Sequence, residues 1–248
     1  MPTLHLLGTG AASTGPDRTT TMLAFAATGS VVVVDCGGDV IHKLVAAGLD
    51  PDEISALILT HAHPDHVGGF PLFMEKIWLA KRRRPIPVCG PKETLDVARR
   101  LFETFDTSGW KGVPEIEWRP VLAEECAHVW SDEHWRVTAS PGSHGIPVIG
   151  IRVEDARGDG VVAYSADTAR SDAIARLADR ADILVHEATG NFPGHTSAQD
   201  AAHVAEQAGV GRLILVHLPP TLPEADLDDA RQSFAEIEVG SDGASFAF

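Results

Sequence analysis

The chain has 248 residues, 44% of them hydrophobic and 22% charged, a balance that fits a globular protein with a real core and excludes a disordered or fibrous one. Its formal charge of −15 at pH 7 repels polyanions at long range, so nucleic-acid binding is possible but not favoured. Cys36, Cys89 and Cys126 lie far apart with no CxxC pair, which points away from a disulfide framework and from a thiolate zinc knot.

A length of this order suits a layered α/β fold used as one unit, so a single domain over residues 1 to 248 is expected. The opening MPTLHLLGTG lacks a basic stretch ahead of a long apolar one, and no run approaches the ~18 apolar residues of a membrane span. A cytoplasmic protein with no membrane partner is the expectation.

Strand signals come first in chain order: residues 3 to 8, 21 to 27, and 30 to 38, where Val31 to Val34 form a β-branched block of the kind buried on both faces. Residues 39 to 48 place Val40, Ile41, Leu44 and Val45 at helical spacing and stop at Gly48. A strand at 55 to 60 follows, then a helix over 70 to 81, a short strand at 88 to 90, and an amphipathic helix over 91 to 105 with Pro91 in its first turn. Strands are expected again at 115 to 121, 134 to 140, 148 to 154 and 160 to 167. A helix at 171 to 179, a strand at 182 to 188, a helix at 197 to 208 and a strand at 212 to 218 come next, and residues 235 to 248 read as a hairpin. The two halves repeat one order, strands first and a strand–helix alternation later, which predicts two sheets packed face to face with helices outside. Lys81, Arg82, Arg83 and Arg84 form one basic cluster, read as a complement to a helix end rather than as an anion grip. The apolar stretch FPLFMEKIWLA at 70 to 80 has the large side chains a homodimer interface would need, although a buried helix explains it equally well.

The strand at 55 to 60 delivers the chain to HAHPDH, which crowds His61, His63, Asp65 and His66 into six positions. Imidazole and carboxylate bind zinc at about 2.0–2.2 Å, and four such ligands on one loop serve two adjacent ions better than one. The Gly68-Gly69 pair behind them is read as letting backbone come close to whatever they hold. Ligand-type residues also interrupt apolar strands at their carboxyl ends further on, where open sheets place their sites: His144, Asp167 and His217.

This ordered series resembles the metallo-β-lactamase fold superfamily over nearly the whole chain. LGTGAASTGPDRTT at 7 to 20, HEAT at 186 to 189 and GHTSAQDAA at 194 to 202 are similar to the branch that holds the tRNA 3′-processing ribonuclease (tRNase Z) and cyclic phosphodiesterases. The resemblance implies a four-layer αββα sandwich and two zinc ions, with manganese or iron as alternatives. His61, His63 and His144 would hold the first ion, Asp65, His66 and His217 the second, with Asp167 bridging. Members with di-iron redox chemistry carry a glutamate where His63 stands, so hydrolysis is expected. Two ions about 3.5–4 Å apart bring the pKa of a bridging water toward ~7, giving a hydroxide nucleophile. Asp65, Glu187 and His195 are the catalytic residues implied, His195 as proton donor to the leaving group and Glu187 as its orienter.

The chain departs from the tRNA-processing pattern in two places. Residues 145 to 166 leave no room for the tRNA-binding arm, and the last ligand continues as HLPP. Small or cyclic phosphodiesters are therefore the first expectation and tRNA 3′ processing the second. Lactone or thioester hydrolysis, and a metal-stabilised binding protein without turnover, are the further alternatives.

Overall fold

Val31 to Val34 set the layering. Val32 and Val34 join an apolar cluster shared by two sheets, with Leu4, Phe25 and Ile58 from one and Trp135, Ile151 and Val216 from the other. Val31 and Val33 point the opposite way and pack with Leu44, Phe70, Phe73 and Ile77. Successive strand side chains alternate faces, so a strand apolar at every position needs cover on both sides. Here the second sheet covers one face and helices the other.

The computed structural model describes residues 1–13, 15–158 and 160–248. Thr14, inside the 7 to 20 motif, lies outside the described residues. In chain order the first half runs β1 (Thr3–Gly8), β2 (Met22–Ala27), β3 (Ser30–Val34), α1 (Val40–Ala46), β4 (Ile54–Ile58), α2 (Pro64–Val67), α3 (Phe70–Leu79), β5 (Ile86–Gly90), α4 (Lys92–Glu103) and β6 (Ile116–Pro120). The second runs β7 (Ala127–Ser131), β8 (Trp135–Pro141), β9 (Ile149–Asp155), β10 (Val161–Tyr164), α5 (Asp172–Leu177), β11 (Ile183–Glu187), α6 (Ala198–Ala208), β12 (Arg212–Val216), α7 (Glu224–Ser233), β13 (Ile237–Val239) and β14 (Ser245–Ala247). Among the described residues one sheet has the order β14-β1-β2-β3-β4-β5-β6 and the other β13-β12-β11-β10-β9-β8-β7. A third apolar cluster fills the space between the second sheet and its helices, with Ile174, Val204, Leu213 and Leu227 among its members. The result is the expected sandwich of two mixed sheets between helices.

The C-terminal hairpin is a correction. β13 extends the second sheet, parallel to β12, while β14 extends the first, antiparallel to β1. The segment between them crosses from one sheet to the other. Gly240 N–H donates to Leu215 O at 2.8 Å, and Gly243 N–H to Leu6 O at 2.8 Å. Two free sheet edges stood closer to satisfaction than one isolated ribbon, because an edge strand leaves a row of unpaired backbone groups. β7 and α7 were not anticipated. β7 is a short edge strand whose register shifts between His128 and Trp130, and α7 buries only Leu227 and Ala230, so neither carries a clear period.

Helix α3 spends its large apolar side chains inward: Phe70, Phe73, Met74 and Ile77 are buried, leaving Leu72 and Leu79 exposed. The feature expected to supply a dimer interface is thus mostly core. The basic cluster behind it is structural. Arg82 is buried and donates to the carbonyls of Arg84 (3.2 Å) and Pro85 (2.9 Å), Arg83 donates to that of Gly112 (3.2 Å), and Arg84 meets that of Asp52. Arg82→Ala is expected to cost about 2–3 kcal/mol in chemical denaturation by orphaning these acceptors, with KM unchanged. A raised KM with intact stability would restore the anion-grip reading. Cys36 and Cys89 are buried free thiols and Cys126 is exposed. Among the described residues no helix is long and apolar enough to cross a membrane.

Candidate metal centre

All seven ligands expected from the sequence come together at one edge of the sandwich, where strands end. His61 and His63 follow β4, and Asp65 and His66 lie in α2. His144 follows β8, Asp167 follows β10, and His217 follows β12. Three residues here take left-handed backbone without being glycine: Asp35 (φ 61), Ala166 (φ 50) and His217 (φ 51). Such conformations cost of order 1–3 kcal/mol and persist where surrounding structure enforces them, typically at functional sites. The glycines nearby serve chain packing rather than the site: a Cβ on Gly37 would lie 1.7 Å from Asp65 O, and one on Gly69 would lie 2.3 Å from Gly38 O. Close contact between the 35 to 38 turn and α2 is what the Gly68-Gly69 expectation turns into.

The donor atoms form three overlapping groups, the third joining Asp167 and His217 to His195. His61, His63, His144 and Asp167 each offer an atom within 4.8 Å of the others, as do Asp65, His66 and His217. His63 Nδ1 lies 3.1 Å from both His61 Nε2 and His144 Nε2. Ligands at 2.0–2.1 Å around a tetrahedral ion are about 3.3 Å apart, so the spacing fits. In the second group His217 Nε2 is 3.4 Å from His66 Nε2 and 3.3 Å from Asp65 Oδ2. Asp167 reaches both, with Oδ2 at 3.7 Å from His61 Nε2 and 3.3 Å from His217 Nε2, and Oδ1 at 3.4 Å from His66 Nε2. Asp167 Oδ1 is nevertheless buried without a well-aligned hydrogen-bond donor. An orphaned anionic oxygen in a nest of imidazoles is what a cation would satisfy.

The proton inventory agrees. His66 Nδ1 donates to Asp35 Oδ2 at 2.8 Å, and His144 Nδ1 to Gly194 O at 2.8 Å. The Thr189 hydroxyl donates to His217 O at 2.9 Å, so it accepts from His217 Nδ1 at 2.6 Å. The Thr60 hydroxyl likewise donates to Asp35 Oδ2 at 2.9 Å and accepts from His61 Nδ1 at 3.1 Å. Four imidazoles therefore commit Nδ1–H outward and turn Nε2 inward, while His63 turns Nδ1. This is how metal-binding histidines are oriented. Burial, reinforced by His66, pushes His61 down to about 2, so its ring stays neutral and its lone pair free. Burial works against ionisation of Asp65 as well, but the His217 hydrogen bond and the His66 charge hold it at about 2. Burial opposes the charged form of His66, but Asp167 and Asp35 raise its pKa well above the ordinary value, so a proton there serves these carboxylates as a cation would. Five imidazoles and two carboxylates suit a divalent metal, and the clusters mark a divalent metal centre.

Asp35 escaped the sequence reading. It is fully buried and accepts from His66, from Thr60 N (2.8 Å) and from the Thr60 hydroxyl, so it orients one imidazole directly and His61 through Thr60. Its signal, a carboxylate closing VVVV, was the same that exposed Asp167. Asp35→Asn is expected to weaken metal affinity about 10–100-fold and to cost about 1–3 kcal/mol of stability, read by chelator competition and thermal unfolding. Wild-type affinity in that variant would remove the orienting role.

Glu187, at the end of β11, is fully buried. Its Oε1 accepts from His195 Nδ1 (3.0 Å), Thr168 N (3.2 Å) and Thr196 N (3.0 Å), and its Oε2 from Thr189 N (3.0 Å). The Glu187 hydrogen bond raises the His195 pKa against the opposing effect of burial. With Nδ1 taken, Nε2 is the free nitrogen of a ring that lines a cavity of about 570 Å³ together with His63, Asp65, Asp167 and His217. His186, the strand neighbour of Glu187, points to the helix side: it is fully buried, with Nδ1 2.8 Å from Glu187 O.

A family model described as the beta-lactamase superfamily domain matches residues 31–218. The chain is 31% identical to a ribonuclease Z of Mycolicibacterium gilvum, over 96% of this chain and 93% of that one. That alignment runs over 267 positions, more than the 248 residues here, so the relative carries insertions this chain lacks. The crystal structure of human tRNase Z, short form, superposes with a TM-score of 0.81 at 25% identity, covering 99% of this chain and 98% of that one. A diphosphatase from the PhnP family superposes with a TM-score of 0.80 at 20% identity, covering 100% and 98%.

Proposed function

The chain belongs to the beta-lactamase superfamily, in its tRNase Z-like branch, and from that membership we propose that this hydrolase is a zinc-dependent phosphodiesterase acting on small or cyclic phosphodiesters. The observation that carries the reading is the convergence of His61, His63, His144, Asp65, His66, His217 and Asp167 beside the His195–Glu187 pair, with His63, Asp65, Asp167, His195 and His217 lining one cavity. His61, His63 and His144 would hold one ion and Asp65, His66 and His217 a second, with Asp167 between them. When bound, such a pair supplies Lewis-acid charge and lowers the pKa of water toward neutrality.

The chain's own residues supply the rest. Glu187 fixes the His195 ring and favours its protonated form, so that Nε2 can give a proton to the departing alkoxide as the P–O bond breaks. The diester and one water become a monoester and an alcohol. Thr189, Thr60, Asp35 and the Gly194 carbonyl hold four imidazoles in place before substrate arrives, so no reorganisation is needed during the reaction. A binding protein without turnover would need no proton donor on the cavity, and the His195 ring lines it.

Small substrates are favoured over RNA by the chain between His144 and Asp167. Among the described residues β9 and β10 form a plain antiparallel pair there, with no arm. The second reading, tRNA 3′ processing, rests on the relatives named ribonuclease Z. One panel tests both: zinc-reconstituted protein is given bis-(p-nitrophenyl) phosphate, 2′,3′- and 3′,5′-cyclic nucleotides, a tRNA precursor with a 3′ trailer, a lactone and a thioester. Turnover of the small phosphodiesters with the precursor intact supports the proposal. Precursor cleavage favours the second reading, and activity confined to the lactone or thioester overturns both.

A further inference from the structure

Phe192 is 60% exposed, yet its side chain forms part of the wall of the active-site cavity. It sits in the turn between β11 and α6, where its N–H donates to Gly190 O at 2.9 Å and its carbonyl accepts from His195 N at 3.0 Å. The ring and the His195 imidazole therefore rise from one tight turn. Gly190 takes a φ of 134°, and a Cβ there would come within 2.9 Å of the Phe192 ring, so the ring occupies space only a glycine leaves free. Ala11, Ala12, Pro219 and Pro220 bring more apolar surface to the same cavity from two other loops. Among the described residues that line it there is no Lys or Arg.

Two consequences follow for what enters. A substrate with several phosphates would find no Lys or Arg counter-charge among the described lining residues, only the His195 imidazole that serves the leaving group, inside a molecule already carrying −15. A flat apolar group, by contrast, would meet an aromatic face that is otherwise left in water beside the proton donor. Resting on the phosphodiesterase reading above, we infer that Phe192 is a specificity-determining residue: it stacks an aromatic ring carried by one substituent of a singly charged phosphodiester. A simple aryl group and a nucleobase share this chemistry.

Calorimetric titration of the zinc-reconstituted protein separates the cases without needing turnover. Phenylphosphonate is expected to bind about tenfold tighter than methylphosphonate, Phe192→Ala to bring the two within about twofold, and Phe192→Trp to keep the preference. Adenosine 5′-monophosphate against ribose 5-phosphate asks the same of a nucleobase: a preference in that pair assigns the ring to a nucleobase, and one confined to the phosphonates assigns it to an aryl group. Circular dichroism confirms that the variants fold. No ring preference in wild type, or a preference that survives Phe192→Ala, overturns the inference. If the ring preference holds but no phosphodiester is cleaved, the functional reading fails and the ring subsite stands.

Discussion

Asp167→Ala is expected to lower kcat/KM for the best substrate by at least about 10⁴-fold and to strip metal from the purified protein. Asp167 is the one side chain whose carboxylate reaches both donor groups, with His61 and His217 near one oxygen and His66 near the other. Its neighbours are imidazoles that turn bare nitrogens toward a common centre, so removing the carboxylate subtracts the shared anion, leaving His61, His63 and His144 as a purely neutral group and Asp65 as the remaining carboxylate of the other. Lewis-acid assistance is worth several kcal/mol, and each ~1.4 kcal/mol is tenfold in rate, which sets the factor. The polypeptide should still fold, because Asp35 continues to accept from His66 and Thr60. Elemental analysis is expected to find less than half the wild-type metal, with a native circular dichroism spectrum. A variant with its full metal content and a rate within tenfold of wild type would show that Asp167 is not shared between ions.

The metal centre was legible because HAHPDH follows one apolar strand and His144, Asp167 and His217 each follow another near its carboxyl end, a pattern visible without knowing which strands neighbour one another. Asp35 ends β3 by the same rule, but its role shows only on folding, when its partners Thr60 and His66 arrive beside it. Thr189 and the Gly194 carbonyl were beyond reach for a different reason, since backbone orientation and one hydroxyl carry no compositional mark. The two-sheet layering was readable from the order of strands and helices, whereas the fate of residues 235 to 248 was not. Two short apolar runs separated by glycines satisfy a hairpin locally. The choice between pairing with each other and pairing with β12 and β1 depends on which edges the rest of the chain leaves open. The apolar stretch at 70 to 80 shows the same limit: composition marks large side chains, but only packing decides that Phe73 and Ile77 go inward.

His195→Ala is the second large effect, with kcat expected to fall about 10²–10⁴-fold, metal content unchanged and KM moved far less. It differs from Asp167→Ala in that separation of rate from metal, because His195 commits Nδ1 to Glu187 and all seven proposed ligands remain without it, although its ring borders Asp167 and His217. The pH profile adds a sign. As proton donor, His195 acts in its charged form, so the rate falls as pH rises through its pKa, and Glu187 raises that pKa. Glu187→Gln removes the carboxylate responsible and is expected to move the alkaline limb to lower pH, whatever other charges share the site. The same change places an amide where three backbone N–H groups donate, so a stability loss of about 1–3 kcal/mol should accompany it. His195→Ala should flatten the limb altogether. An alkaline limb that stays in place in both variants would assign the proton to another group and leave Glu187 a purely structural acceptor for the turn that carries His195.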